Sequence, residues 1–143
     1  QMLIACHWRA GRERQFRRAA ELGDGYMSIS DYPDEYSQVT ERVKAHAEEQ
    51  GRDFSAMERT FYMTVNMLND AATASQEADR FLKLYYGMNI WGDRWGPWGP
   101  AELTVDRIRH YESAGAETMI VRFASFDQER QLQRFLEEVV PEF

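Results

Sequence analysis

The sequence predicts an α/β chain in which parallel strands alternate with helices, as four βα units in a row. Three observations predict it. Short apolar runs of strand character recur at Met2–Cys6, Gly25–Ile29, Thr60–Leu68 and Thr118–Phe123. Between them lie stretches whose apolar residues repeat at helical spacing. The helices end at glycines, Gly23, Gly51 and Gly115. Alternating units of this kind, here with an extra helix before the fourth strand, imply a parallel sheet with crossover helices. Four units do not close a (β/α)8 barrel, which typically takes about 250 residues. They make half of one, or a small open sheet.

Taken in order, Met2–Cys6 is an unbroken apolar run, expected as a strand covered on both faces. His7–Gly11 is the loop after it. Arg12–Leu22 follows as a helix with Phe16, Ala19 and Ala20 inward. Gly23 stands where a left-handed C′ residue belongs. The second strand, Gly25–Ile29, ends in the polar loop Ser30-Asp31-Tyr32, and Pro33 suits the first turn of the next helix. That helix runs to about Gln50 with Tyr36, Val39, Val43 and Ala47 as its buried stripe. In the third strand one face is Phe61, Met63, Val65 and Met67; the other is Tyr62, Thr64, Asn66 and Leu68. The second face is too polar for an ordinary core, so it either lines a ligand cavity or is satisfied by neighbours.

Asn69-Asp70 caps a helix from Ala71 to about Tyr86, with Ala74, Ala78, Phe81, Leu82 and Tyr85 on its inner side. The segment Tyr85–Pro100 holds three tryptophans, four glycines and two prolines. Its breakers make it a loop. Its aromatics make it either a lid or interface that buries indoles or a compact surface loop. Pro100 opens a helix with Leu103, Ile108 and Tyr111 inward. After the fourth strand, Ser125 and Gln128 have capping-box spacing for a last helix with Leu132, Phe135, Leu136 and Val139 inward.

Length is enough for a single domain, residues 1–143, with a real core. A net charge of −7 argues against a nucleic-acid or anionic-membrane surface. The arginines at 9, 12, 14, 17 and 18 read as the solvated face of one helix. A lone cysteine, Cys6, permits no disulfide within the chain and fits a reducing cytoplasm. No apolar run is long enough to be expected as a membrane span. The chain starts inside a strand, which suggests a piece of something longer.

Several stretches together carry a resemblance. RRAAELGDGYMSISDYPDEY, the pair Gly51-Arg52 after an Ala-Glu-Glu helix end, YYGMNIWGDRWGPWGPAEL and RFASFDQERQLQRFLEEVVPEF follow one another in the order and spacing of a known pattern. The chain resembles the C-terminal half of luciferase-like monooxygenases, flavin-dependent enzymes on the bacterial luciferase barrel. The likeness covers nearly all of the chain. It departs at Gly99-Pro100-Ala101-Glu102-Leu103, where many members have Gly-Thr-Pro-Glu-Glu. It departs again at His7-Trp8-Arg9-Ala10, where several have glycines or serines.

The resemblance implies a partial (β/α)8 barrel, the C-terminal four units, without the first four strands that supply much of the ring and substrate pocket. It implies an oxidoreductase using reduced FMN and oxygen on a small organic substrate, or a deazaflavin-dependent relative. The cofactor phosphate would lie at the loop after the fifth barrel strand: Arg9, Ala10 and Gly11 here, then Ser28 and Ser30 at the next strand end, with Arg122 adding charge. A phosphate is met by backbone N–H groups, a helix N-terminus and cations. Trp8 would crowd the phosphate or stack on a ring. Salt bridges to carboxylates are the alternative reading of Arg9 and Arg122.

His7 is placed for acid–base work or is simply a hydrogen-bonded loop residue. His46 and His110 form no spaced ligand set with it, so no metal site is expected. Cys6 reads as packing. A second reading makes the chain a catalytically silent half-barrel that pairs with itself as a homodimer or with a missing N-terminal half, because open edges and apolar faces favour association. A third makes it a small open α/β binding domain.

Overall fold

The computed structural model describes residues 1–9, 13–90 and 92–143. In chain order the elements are β1 (Leu3–Ala5), α1 (Glu13–Leu22), β2 (Gly25–Ile29), α2 (Pro33–Glu49), β3 (Glu58–Val65), α3 (Ala71–Tyr86), α4 (Ala101–Ser113), β4 (Thr118–Phe123) and α5 (Gln128–Arg134). The strands form one sheet in the order β1-β2-β3-β4. Leu3 pairs with Gly25 and Gly25 with Glu58, both in parallel register. The elements fall into two compact units, Gln1–Tyr62 with His110–Ile120, and Met63–Arg109 with Val121–Phe143.

The first unit is built around four aromatic rings. Phe61 stacks on Tyr111 with centroids 3.6 Å apart. Tyr36 meets both edge-on at 5.6 and 6.1 Å, and Tyr26 lies 6.0 Å from Tyr36. The expected stripes of α1 and α2 are buried here, and the α2 stripe also takes in Thr40 and His46. Thr40 is tolerated because its hydroxyl accepts from Tyr26 Oη (2.6 Å) and donates to Tyr36 O (3.0 Å). Gly51, at φ +68, ends α2 as expected.

Gly23 is glycine for a different reason from the one expected. Its φ is not positive. A Cβ there would come within 2.6 Å of Gly25 O and 2.9 Å of Ala19 O, so the turn needs the space. Arg52, from beyond α2, donates to the carbonyls of Ala20 and Gly23 and closes the end of α1.

β1 is not covered on both faces as expected. It is a three-residue edge strand whose Leu3 and Ile4 are half-buried and whose Ala5 is exposed. An edge strand has one neighbour, and only Cys6 beyond it is fully buried.

In the second unit, Asp70 caps α3 as expected, accepting from Thr73 N at 2.8 Å and Thr73 Oγ1 at 2.6 Å. β3 ends at Val65, three residues before the expected Leu68. There the segment after α3 comes alongside. Gly96 N donates to Thr64 O (3.0 Å), Asn66 N to Pro97 O (3.2 Å), and Gly99 N to Asn66 O (2.9 Å). Trp95 is buried and Trp98 half-buried; Trp91 lies outside the described residues. The aromatic segment is thus laid along the end of a strand.

Four expected inward residues face out. Tyr85 is 65% exposed, Leu103 42%, Leu132 49% and Leu136 55%. In α4 the buried line is Ala101, Thr104, Val105, Ile108 and Tyr111, and Leu103 is off it. In α5 and the turns that continue it, Gln131 and Val139 are inside, and Leu132 sits one residue, about 100°, further round than Gln131. α5 is capped by Asp127, which accepts from Arg130 N at 3.0 Å, not by Ser125. Ser125 is drawn away because its hydroxyl donates to Glu77 Oε1 (2.8 Å).

Candidate functional site

β1 and β2 end side by side, and the loop after β1 leads into α1. Gln15, on the first turns of α1, holds that loop at two points. His7 N donates to Gln15 Oε1 (3.2 Å) and Gln15 Nε2 donates back to His7 O (2.9 Å). His7 Nδ1 accepts from Ile29 N at 3.4 Å, so the ring is hydrogen-bonded to the end of β2. Trp8 is half-buried and stacks on Phe16 with centroids 6.4 Å apart. Arg9 is exposed. Ala10 and Gly11, expected to present N–H groups here, lie outside the described residues.

The centre of this end of the sheet is Asp31, which sequence reasoning passed over as one polar residue of a loop. It is 1% exposed. Its Oδ2 accepts from Trp8 N (2.9 Å) and from Ser28 Oγ (2.6 Å). Its backbone carbonyl accepts from the buried Tyr111 hydroxyl at 2.5 Å. Burial raises its carboxyl above the usual range, against the pull of Ser28, the Trp8 N–H and His7. Ser30, just before it, holds a left-handed φ of +66 and is buried. No spacing signal marks Asp31, since acids are common in strand-end turns.

Ser28 was expected to meet a ligand directly. It is fully buried and its hydroxyl is committed to Asp31, so it builds the floor beneath the loop. Trp8 N–H is engaged in the same way. Cys6 is buried as expected, with its thiol pushed up to about 12 by burial and then by the Asp31 charge.

Arg122 lies on β4, in the second unit. Its guanidinium sits over the rings of Tyr85 (4.1 Å), Tyr86 (5.1 Å) and Phe81 (5.4 Å) and donates to Tyr86 Oη at 2.6 Å.

The second unit has its own strand-end cluster. Glu77 on α3 accepts from Ser125 Oγ (2.8 Å) and Phe126 N (3.0 Å) at Oε1, and from Asn66 Nδ2 (3.0 Å) at Oε2. Asn66 Nδ2 also donates to Ala124 O at 2.9 Å. On the polar β3 face neighbours thus take up the Asn66 NH2, while Asn66 Oδ1 and Thr64 Oγ1 are buried without a hydrogen-bond partner among the described residues. Gln131 grips the Met67 peptide as Gln15 grips His7, with Met67 N donating to its Oε1 at 2.7 Å.

Among the described residues no group of three or more His, Cys, Asp or Glu could hold a metal ion, and no helix is long and apolar enough to cross a membrane.

What the site near Asp31 can offer an anion is confined to its rim. The buried donors already serve a carboxylate, and a buried negative charge repels a second one. The exposed Arg9 remains at that rim.

The sequence profile of the luciferase-like monooxygenase family matches residues 7–96. No curated protein matches the sequence significantly. Solved structures match as folds. One is a coenzyme F420-dependent secondary alcohol dehydrogenase with an F420–acetone adduct (TM-score 0.75, 17% identity, 91% of this chain and 46% of that one). A second is the coenzyme F420-dependent tetrahydromethanopterin reductase of Methanopyrus kandleri (TM-score 0.70, 17% identity, 97% and 50%). A third is the oxygenating component of 3,6-diketocamphane monooxygenase from Pseudomonas putida with FMN (TM-score 0.63, 18% identity, 90% and 45%). The chain spans about half the length of these relatives, and its four parallel βα units match about half of a luciferase-like barrel chain.

Proposed function

Because this chain belongs to the luciferase-like monooxygenase family, we propose that it supplies the phosphate-holding end of a flavin-dependent oxidoreductase. Residues 1–143 would be the C-terminal half of its barrel, working in the cytoplasm. FMN is the cofactor we favour, with a deazaflavin as the alternative. When bound, the flavin supplies the redox chemistry on a small organic substrate, as reduced FMN acting with oxygen or as a deazaflavin passing hydride. The observation that carries the reading is the loop after β1, fastened from below by Asp31 and Gln15 and exposing Arg9.

In this proposal Arg9 meets the phosphate, together with the backbone of Ala10 and Gly11 at the entry to α1. Trp8 packs beside it. Ser28 and Ser30 shape the floor. Arg122 adds charge in a lesser part, since its guanidinium already engages Tyr85 and Tyr86. Binding by the chain alone is expected to be weak, because a phosphate grip without a ring pocket forfeits most of the contact area.

Paired titrations of FMN and riboflavin, followed by flavin fluorescence, test this. They differ only in the phosphate. FMN should bind about fivefold more tightly, the scale of an exposed charge-assisted contact, and Arg9→Ala should remove the difference. Equal affinities for the two in the wild type would overturn the phosphate assignment. A deazaflavin titrated in parallel distinguishes the cofactors.

A second reading, self-association into a homodimer, is favoured by the exposed apolar run at the end of α3. Leu84 is 69% exposed, Tyr85 65%, Met88 60% and Ile90 51%. Light scattering should then show a species above 16.8 kDa, and a monomer at every dilution would refute it.

A further inference from the structure

We infer that Asp31 is the positioning residue of the loop after β1, acting as a buried acceptor that sets the His7–Trp8 peptide and so aims the loop's one exposed described cation, Arg9, on the residue that follows. This rests on the phosphate reading above and deepens it. The carboxylate belongs to the end of β2, and the N–H it holds belongs to the loop after β1, 23 residues earlier. A single oxygen, Oδ2, takes both the Trp8 N–H and the Ser28 hydroxyl. Asp31 itself cannot swing away. Its side chain is buried, its carbonyl is held by Tyr111 Oη, and the residue before it is fixed in a left-handed turn.

The loop is thus fastened on one side by Gln15 at His7 and on the other by Asp31 at Trp8. Arg9 follows directly and is exposed. Preorganising the backbone beneath an exposed cation lowers the ordering cost when an anion arrives. Because both bonds go to the same oxygen, the role needs an acceptor at that place and not the negative charge. An amide in the same position keeps one oxygen for both donors.

The test compares the wild type, Asp31→Ala and Asp31→Asn in the 143-residue chain by two readouts. One is hydrogen exchange of the Trp8 amide by NMR without ligand. The other is the FMN-over-riboflavin affinity ratio. Asp31→Ala should speed Trp8 exchange by roughly tenfold or more and bring the ratio near one. Asp31→Asn should leave both close to wild type. A purely structural role would lower stability in both variants without moving the ratio in either folded protein.

Unchanged Trp8 exchange in folded Asp31→Ala overturns the proposal, and so does an unchanged FMN ratio once Trp8 is released. If Asp31→Ala does not fold, Asp31→Asn decides. Intact Trp8 protection with a lost FMN preference would make the charge the actor and refute positioning. A wild type with no FMN preference would remove the phosphate reading instead. Trp8 exchange, which needs no ligand, would still show whether Asp31 fixes the loop.

Discussion

Glu77→Ala should destabilise the protein by about 2–4 kcal/mol, and the structure shows where the loss comes from. The carboxylate accepts three hydrogen bonds, from Ser125 Oγ, Phe126 N and Asn66 Nδ2. Bonds to a charged group are worth about 1.5–3 kcal/mol each in mutational series, but they do not add. Part of the loss is recovered. The Ser125 hydroxyl can rotate, Phe126 is exposed, and Asn66 Nδ2 keeps Ala124 O. A loss of about 3 kcal/mol, over an unfolding entropy of roughly 0.3 kcal/mol/K for a chain of this size, lowers Tm by about 10 °C.

Glu77→Gln separates charge from geometry. Its amide oxygen can keep Ser125 and Phe126 at the Oε1 place, but its NH2 then faces the Asn66 NH2. Turning Asn66 over would set its oxygen against the Ala124 carbonyl. One mismatch remains either way, so Glu77→Gln should cost about 1–2 kcal/mol. The hydrogen bonds from Asn66, the Phe126 N–H and Ser125 hold the carboxyl below its ordinary value although burial, the largest single influence, pushes it up. A depressed folded value stabilises the fold above the unfolded value near 4.5 and ceases to do so as pH falls through the folded one. In urea titrations the gap between wild type and Glu77→Ala should be flat from neutral pH to about 4.5 and narrow below. A gap under about 0.5 kcal/mol at pH 7, or one that persists unchanged to pH 3, would refute the reasoning.

Three further outcomes are expected. Tyr111→Phe keeps the 3.6 Å stack on Phe61 but strips the donor from the Asp31 carbonyl, and should cost about 1–2 kcal/mol by urea unfolding. Gly25→Ala should cost about 3 kcal/mol or more. Its Cβ would stand 2.3 Å from Glu58 O and 2.8 Å from Glu58 N, backbone atoms that yield only if the β2–β3 pairing shifts, which loss of strand amide protection would report. Cys6, fully buried with a thiol pushed up to about 12, should react with a thiol reagent at pH 8 roughly a thousandfold more slowly in the folded than in the urea-unfolded chain; comparable rates would show the thiol to be open.

The parts legible in the sequence are those whose cause is local. Phe16, Ala19 and Ala20 on α1, and Tyr36, Val39, Val43 and Ala47 on α2, are buried as their spacing requires. Pro33 and Asp70 mark helix starts through chemistry within one turn. The expectation fails where a distant backbone group chooses the inward residue. Gln131 is buried in place of the more apolar Leu132 because the Met67 peptide, 64 residues away, needs a partner for its N–H and its carbonyl. Ser125 leaves the capping position because Glu77 claims its hydroxyl. The loop after β1 was marked as a candidate site by its place between strand and helix. Its organiser was not, because Asp31 acts through space on Trp8, and Ser28 changes from a candidate ligand to its support.

Asp31 also stands out energetically. Its carboxyl is raised in the folded chain, chiefly by burial. A raised value favours the fold below the ordinary value of 3.8, and the benefit is lost as pH rises through the folded value. Once ionised, the buried group therefore works against stability. An asparagine would keep an oxygen for both Trp8 and Ser28 without that cost. Gln15 and Gln131 show that this chain uses neutral amides for the same task, each gripping a strand-end peptide at two points.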